Sequence, residues 1–170
     1  MPKIIENVRE QLLAEAKKQI SERGYKNTTI RSVASECNIA TGTVYNYFKS
    51  KDMLIASFIL QDWLDCLSSI AEYPKGDSYS FLKFIYTSLI EFVNKHQSLF
   101  YDKEASKSFD TSVSERHGQL RQQLAQQIMP IASEEFLAEY VAEAMLCWTM
   151  AGKDFEDIYS LLPEKIKLKK

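Results

Sequence analysis

Glycine, proline and cysteine are scarce in this chain of 170 residues, which has 5 glycines, 4 prolines and 3 cysteines. The cysteines, Cys37, Cys66 and Cys147, are odd in number and far apart, and they include no Cys-x-x-Cys pair. This spacing excludes a disulfide framework and a zinc ribbon. We therefore predict three buried, reduced thiols, because a free cysteine is among the most buried side chains.

Membrane and export signals are also lacking. No apolar run approaches the roughly 20 residues that cross a bilayer. The N-terminal sequence MPKIIENVRE has no uninterrupted apolar core of the kind that a signal peptide contains. We expect a soluble, cytoplasmic protein with no membrane partner.

Sequence signatures of catalysis are missing as well. The chain contains no Gly-rich phosphate loop and no G-x-S-x-G elbow. Its two histidines, His96 and His117, are isolated, with no cluster of His, Cys or carboxylate residues at ligand spacing near them in the sequence. We predict that the protein is not an enzyme, that it binds no cofactor and no metal, and that each histidine is a surface or helix-end residue.

The charge of the chain is unevenly distributed. Residues 1–52 contain 9 Lys and Arg against 6 Asp and Glu, about +3, whereas residues 53–170 contain 12 against 17, about −5. The sum agrees with the formal net charge of −2. A modestly basic head on an acidic body favours contact with nucleic acid through the head alone.

The hydrophobic pattern predicts an all-α fold. Apolar residues recur at helical spacing through most of the chain, and the few glycines and prolines fall where the helices should end. Strand signals and internal repeats are absent from the sequence. The predicted helices cover residues 3–23, 28–37, 41–48, 51–73, 78–95, 98–104, 114–129, 133–151 and 154–162, with a polar loop at 105–114 and a basic tail after Pro163.

The segment from Thr28 to Lys51 has the pattern of a helix-turn-helix. Thr28 or Thr29 can cap the first short helix, and Asn38 lies where the chain must turn sharply, a position that Asn tolerates in the left-handed conformation. A second helix from about Thr41 to Phe48 would lie in the DNA major groove.

This segment resembles the TetR-type (TetR/AcrR) transcriptional regulators. The matching residues are Thr28-Thr29-Ile30-Arg31, Val33-Ala34, the run from Asn38 to Phe48, and Lys51-Asp52. The resemblance implies a three-helix DNA-binding domain at 1–52 and a helical-bundle body at 53–170 that binds an effector and dimerises. Two residues depart from the family pattern: Asn38 replaces a common Gly, and Ala40 replaces a Ser or Thr cap, a role that Thr41 could take over.

The resemblance also implies which residues contact double-stranded DNA. Thr29, Tyr45, Tyr47 and Lys51 would bind phosphates, and Thr41, Gly42, Thr43 and Asn46 would face the groove. Arg31 would either bind a phosphate or remain solvated. Tyr47 has the alternative of packing against the first helix. The body is rich in aromatic side chains, and those predicted to line a pocket for a small apolar effector are Trp63, Phe81, Phe84, Phe92 and Phe100. Each of them has the alternative of being an ordinary core residue.

Helix 134–151 has two apolar sides, so one can serve the core and the other a second subunit. The seam predicted for the homodimer comprises Leu137, Val141, Ala144 and Trp148; Phe136, Tyr140, Cys147 and Met150 lie on the neighbouring face. The alternative is a fully buried central helix in a monomer.

The functional hypothesis is a homodimeric regulator, a repressor that binds a near-palindromic operator and is released by a ligand. One alternative is a TetR-like co-activator whose body docks a protein partner without a small ligand. The other is a sensor or enzyme that has the helical layout but no affinity for DNA.

Overall fold

The computed structural model describes residues 7–105 and 113–167, with the side chains of the second range described from residue 117 onward. Every regular element in these ranges is a helix, so the all-α prediction is confirmed. The start of the predicted first helix at 3–6, most of the predicted loop at 105–114 and the last three residues of the basic tail lie outside the described residues.

The helices of the described ranges are named here in chain order. They are α1 (Val8–Asn27), α2 (Ile30–Glu36), α3 (Thr41–Tyr47), α4 (Lys51–Glu72), α5 (Ser78–Lys95), α6 (Gln97–Phe100), α7 (Val113–Ile128), α8 (Glu135–Met150), α9 (Phe155–Leu161) and α10 (Glu164–Lys167).

Helix α1 breaks where the sequence predicts it. Gly24 has φ 76° and ψ 173°, which is not helical and lies in a region that L-residues with a side chain rarely adopt. Before the break, the apolar stripe of α1 is buried at Leu12, Ala16 and Ile20. After it, Tyr25 turns inward and is also buried. Gly24 thus ends the straight part of α1.

The chain forms two compact units. The first contains the residues up to Asp62 together with the segment that starts at His96, and the second contains Trp63–Lys95 and the rest of the C-terminal part. The predicted functional division at residue 52 stays a prediction, because compactness does not tell which part of the chain binds which partner.

The core of the first unit joins α1, α2, α3 and the first half of α4. Its buried side chains include Leu12, Val33, Val44, Leu54 and Phe58. Helix α6 packs against α1, and its Leu99 is buried in the same core. The segment after α5 therefore belongs structurally to the unit that contains the helix-turn-helix.

The core of the second unit is built by the second half of α4 with α5 and α7 to α10. Phe81, Leu124 and Val141 are fully buried there, and Trp63 donates a hydrogen bond from Nε1 to Gln123 Oε1 at 2.7 Å. Helices α7 and α8 form the most extensive helix pair. Their short connection makes them antiparallel neighbours.

Helix α4 is the one helix in the described ranges that is long and apolar enough, by length and composition alone, to cross a membrane. Its apolar residues have an ordinary explanation, since Leu54 and Ile55 are buried in the core of the first unit and Trp63 and Ile70 in that of the second. Core helices of soluble proteins pass the same test of length and composition.

Candidate nucleic-acid interface

The start of α2 is fixed by a capping box. Thr29 Oγ1 accepts a hydrogen bond from the Ser32 backbone N–H at 3.0 Å, and Ser32 Oγ accepts one from the Thr29 N–H at 3.0 Å. Thr28 is buried and donates its hydroxyl proton to the carbonyl oxygen of Gly24. Of the two predicted caps, Thr29 is therefore the one that begins the helix.

A buried glutamine ties this cap to α1. Gln19 has no exposed surface, and its Oε1 accepts a hydrogen bond from Ser32 Oγ at 2.6 Å. Its Nε2 donates to Glu15 Oε1 at 2.8 Å. A buried amide whose oxygen and nitrogen both have hydrogen-bond partners stabilises the fold and fixes the positions of those partners. Gln19 thus holds the start of α2 in a defined position on α1.

The turn between α2 and α3 uses the backbone conformation that the sequence predicts. Asn38 has φ 53°, in the left-handed region, and the Ile39 N–H donates to the Ala34 carbonyl oxygen at 2.9 Å. Ala40 is the N-cap residue of α3, and no side-chain cap is described there. Thr41 is the first residue inside the helix rather than its cap, so the departure from the family pattern at Ala40 is left uncompensated at that position.

Helix α3 is anchored from one side only. Val44 is fully buried in the core of the first unit, and Phe48 follows directly after the helix and is also buried. The residues predicted to contact DNA lie elsewhere on the segment. Thr29, Arg31, Gly42, Tyr45, Asn46 and Tyr47 are exposed, and Thr41, Thr43 and Lys51 are half-buried.

Tyr47 projects into solvent. Its side chain is 46% exposed, and its ring centroid lies 6.5 Å from that of Phe48. The alternative of a Tyr47 packed inside against the first helix does not fit this exposure. The interface as a whole presents a polar, hydroxyl-rich and amide-bearing surface of the type that reads DNA. The contacts themselves remain predictions.

The folded protein does not itself require a glycine at position 42. A Cβ atom built on Gly42 meets no heavy atom within 4 Å in the described structure, and the backbone is helical. Ala is the better helix former by about 1 kcal/mol. A glycine at this exposed position of α3 therefore lets an external surface approach the backbone closely, and internal packing gives no competing reason for it.

Lys51 has an intramolecular role that the sequence did not reveal. Its Nζ donates to the Tyr25 carbonyl oxygen at 2.9 Å and lies 3.6 Å from the centroid of the Tyr25 ring, a cation–π contact. Tyr25 in turn donates its hydroxyl proton to Asp52 Oδ1 at 2.6 Å. Burial lowers the pKa of Lys51. Lys51 thus joins the end of α1 to the start of α4, and its predicted phosphate contact stays a prediction.

Lys49 is a second cation at this corner, and it was not among the residues predicted to contact DNA. It is exposed, and its Nζ lies 3.4 Å from the carbonyl oxygen of Tyr45, one turn earlier in α3. Its position two residues after the end of α3 is the signal that could have identified it.

Alanine substitutions of the two lysines should have different effects. Lys51→Ala is expected to lower the free energy of unfolding by about 1–2 kcal/mol, since it removes a charged hydrogen bond from a partly exposed group. Lys49→Ala should change stability by less than about 0.5 kcal/mol. It should instead weaken DNA binding and reduce the slope of log affinity against log salt by about one. Urea unfolding and fluorescence anisotropy at several salt concentrations measure both. Equal losses of stability in the two variants would contradict the assignment.

The aromatic residues predicted to line a pocket are distributed over both units. Trp63 and Phe81 are fully buried in the second core, where Phe92 packs edge-on against Trp63 and Phe84 stacks on Tyr73. Phe100 belongs to the first unit, with its ring 6.0 Å from that of His96. A groove in the described structure is lined instead by residues of α7, of α8 and of the connection between them, namely Gln122, Ala125, Gln126, Met129, Glu135 and Glu139. A pocket built from the predicted five stays a prediction.

The predicted dimer seam needs correction. Leu137 and Val141 are buried in the core of the second unit, so a partner cannot reach them. Of the other two predicted contacts, Ala144 is half-buried and Trp148 is 49% exposed. The outer stripe of α8 follows steps of four residues: Phe136, Tyr140 and Trp148 are exposed, and Ala144 between them is half-buried. Its members Phe136, Tyr140 and Trp148 are large apolar residues in contact with solvent.

The histidines and cysteines also differ from expectation. His96 lies at a helix end, as predicted, but it is buried, with its Nε2 3.0 Å from Asp62 Oδ2. His117 is half-exposed and lies 2.9 Å from Glu143 Oε2.

All three cysteines are at least partly exposed, so the prediction of buried thiols was wrong, most clearly for the exposed Cys147. Burial raises the pKa of the Cys66 thiol to about 11, and burial together with the neighbouring Glu143 does the same for Cys147.

Comparison with known proteins confirms the resemblance for the N-terminal part of the chain. Residues 12–58 match the family model described as "Bacterial regulatory proteins, tetR family". The chain is 43% identical to the HTH-type transcriptional regulator HbdR of Aromatoleum sp. strain CIB over 54 residues. This stretch covers 32% of this chain and 24% of HbdR. The chain is 39% identical to the HTH-type transcriptional repressor KstR2 of Mycolicibacterium smegmatis over 59 residues. This stretch covers 35% of this chain and 28% of KstR2.

These matches are local. The chain spans 24% to 35% of the length of HbdR, KstR2 and the Escherichia coli K12 regulator UidR, to which it is 34% identical over 68 residues. The similarity in fold, unlike the similarity in sequence, covers nearly the whole chain. A TetR-family regulator from Rhodococcus RHA1 superposes with a TM-score of 0.57 over 97% of this chain and 98% of that one, at 15% identity. The Streptomyces coelicolor regulator SCO4454 also has a TM-score of 0.57, over 93% and 91%, at 12% identity.

Proposed function

We propose that this chain, whose residues 12–58 form a TetR-type helix-turn-helix domain, is a homodimeric, sequence-specific DNA-binding transcriptional regulator of the cytoplasm. The observation that carries the proposal is α3, which is anchored by Val44 and Phe48 and turns a polar, glycine-containing face to solvent. The proposal includes no catalytic role.

Each part of the α3 face has a chemical function in this proposal. Asn46 can donate to and accept from an adenine edge in the major groove, and the methyl groups of Thr41 and Thr43 can meet a thymine methyl. Tyr45 and Tyr47 donate hydroxyl protons to phosphates on either side of the groove. Lys49 adds a flexible positive charge to the same backbone contact.

The homodimer forms through the exposed stripe of α8. Phe136, Tyr140 and Trp148 are from 47% to 76% exposed and follow one another along the outer side of α8, with the half-buried Ala144 between Tyr140 and Trp148. Large exposed apolar patches mark interaction sites. A helix face that pairs with its own copy gives a two-fold interface, and the two-fold axis then fits a near-palindromic operator with one half-site for each α3.

The protein acts as a repressor that an effector releases, and α4 carries the signal. Leu54, Ile55 and Phe58 fix the first half of α4 in the core of the first unit, and the helix continues without interruption into the second unit. In this proposal the effector acts through α4, whose first half packs in the same core as the helix-turn-helix. Because binding of effector and of operator are linked, an effector that favours the wrong separation of the two α3 helices weakens operator affinity. The name of the relative KstR2, a transcriptional repressor, supports the direction of regulation.

Gly42→Ala tests the proposed use of α3. We expect operator affinity to fall at least tenfold, because the new methyl group prevents close approach of the backbone to DNA. Stability should stay the same or rise by up to about 1 kcal/mol, since Ala favours the helix. Anisotropy titration with a selected duplex and thermal unfolding measure the two effects.

The matched control is Gly118→Ala in α7, where a Cβ atom also meets no heavy atom within 4 Å in the described structure. This change should leave operator affinity unaltered. Equal DNA affinity of wild type and Gly42→Ala would contradict the proposed approach of α3 to DNA.

A further inference from the structure

Three side chains with metal-binding atoms meet on the surface of the second unit. His117 comes from α7, and Glu143 and Cys147 lie four residues apart on α8, so that they share one face of that helix. His117 Nε2 lies 3.0 Å from Glu143 Oε1 and 2.9 Å from Oε2. Cys147 Sγ lies 3.0 Å from Glu143 Oε1. One ligand atom from each residue falls within 4.8 Å of the other two.

We propose that His117, Glu143 and Cys147 form a binding site for a divalent transition-metal ion, with zinc as the ion that fits best. Imidazole nitrogen, carboxylate oxygen and thiolate sulfur are all zinc ligands, and the mixture of nitrogen and sulfur donors disfavours magnesium and calcium. Three protein ligands leave the fourth tetrahedral position open to water or to another ligand. The inference stands independently of the proposed DNA binding.

The spacing of the ligand atoms is close to what zinc requires. Tetrahedral geometry with ordinary zinc–ligand bond lengths places nitrogen and oxygen about 3.3 Å apart, and oxygen and sulfur about 3.6 Å apart. The corresponding contacts, 2.9–3.0 Å and 3.0 Å, are hydrogen bonds that an ion would replace. In these two pairs the ligand atoms must separate by about half an ångström. The third pair, a His117 ring nitrogen and Cys147 Sγ, lies within 4.8 Å. Rotamer adjustment on two packed helices can bring the three atoms to one ion.

Arg121 supports Glu143 from outside the site. Its Nη1 lies 3.7 Å from Glu143 Oε2, whereas Cys147 meets the other oxygen, Oε1. One carboxylate oxygen can therefore bind the ion while the second keeps its contact with Arg121, an arrangement common around metal-binding carboxylates. The negative charges of the thiolate and the carboxylate balance the two positive charges of the ion. The bound ion would connect α7 to α8.

Cobalt binding to the full-length, reduced protein tests the site. We expect a near-ultraviolet charge-transfer band from a thiolate–cobalt bond and visible bands of tetrahedral cobalt, both saturating at one ion per chain and both reversed by zinc. Cys147→Ser should abolish the charge-transfer band. His117→Gln and Glu143→Gln should each weaken cobalt affinity at least about tenfold. Loss of a residue that only hydrogen-bonds to a metal ligand already lowers metal affinity by about that factor.

Cys37→Ser and Cys66→Ser are matched controls, because both remove a thiol that lies outside the cluster and should keep the band. Circular dichroism checks that each variant is folded. A thermal-shift series gives an independent readout, in which zinc should raise the unfolding midpoint of the wild type but not that of His117→Gln. A band that survives in Cys147→Ser, or no band in the wild type at micromolar cobalt, would overturn the proposal.

Discussion

Asp62→Ala is expected to lower the free energy of unfolding of the protein by about 3 kcal/mol or more, one of the two largest effects that the structure predicts. The Asp62 side chain is only 8% exposed and pairs with two cations or potential cations. Lys17 Nζ lies 2.8 Å from Oδ2 and 2.9 Å from Oδ1, and His96 Nε2 lies 3.0 Å from Oδ2. Asp62→Ala removes the carboxylate contact of both Lys17 and His96.

The reason for the large effect is burial. His96 is 1% exposed and its ring stacks on Phe58 at a centroid distance of 5.9 Å, so solvent compensates it little for the loss of the carboxylate. Asp62 also links three separate parts of the first unit, namely α1, α4 and the segment at His96. Urea denaturation monitored by circular dichroism measures the change. Glu72→Ala, an exposed acid on the same helix, is the control and should stay within about 0.5 kcal/mol of the wild type. A loss below 1 kcal/mol for Asp62→Ala would contradict this role.

Tyr140→Glu is expected to prevent formation of the proposed homodimer and to lower operator affinity by a factor on the order of a hundred or more. The substitution removes an exposed aromatic residue from the α8 stripe and places a carboxylate on the apolar face that the proposed interface would bury. Loss of a central aromatic contact alone costs about 2 kcal/mol or more at many interfaces. A monomer then binds one half-site and loses the second, linked contact.

Sedimentation equilibrium gives the oligomeric state, and anisotropy with a two-half-site duplex gives the affinity. Leu161→Glu is the matched control, because Leu161 is also an exposed apolar residue of the second unit, at 75%, but lies outside the α8 stripe. This variant should remain a dimer with unaltered affinity. A Tyr140→Glu protein that stays dimeric would show that the interface lies elsewhere.

Features governed by neighbouring residues were predicted well. The cap at Thr29, the left-handed turn at Asn38 and the break at Gly24 depend on interactions within a few residues, which local sequence rules describe. The polar face of α3 follows from the same periodicity, because Val44 and Phe48 point into the core and the intervening side chains cannot.

Features that depend on distant parts of the chain were missed. The partner of Lys51 is Tyr25, 26 residues earlier, and a pattern of charges cannot reveal it. His117 is isolated in the sequence, and only the packing of α7 against α8 brings it to Glu143 and Cys147.

Two of the four residues predicted for the dimer seam were wrong for another reason. Helix α8 is apolar on two sides, and periodicity alone cannot tell which side the core covers. Leu137 and Val141 proved to face inward, whereas Phe136 and Tyr140 face solvent.

Selection of bound duplexes from a random DNA pool, with wild-type protein and Asn46→Ala in parallel, tests the central claim most directly. We predict that the wild type enriches a near-palindrome whose half-sites are separated by whole helical turns. Asn46→Ala should relax the preference at one base pair of each half-site while keeping the rest. No enrichment over the starting pool by the wild type at moderate salt would contradict the assignment of this protein as a sequence-specific DNA-binding regulator.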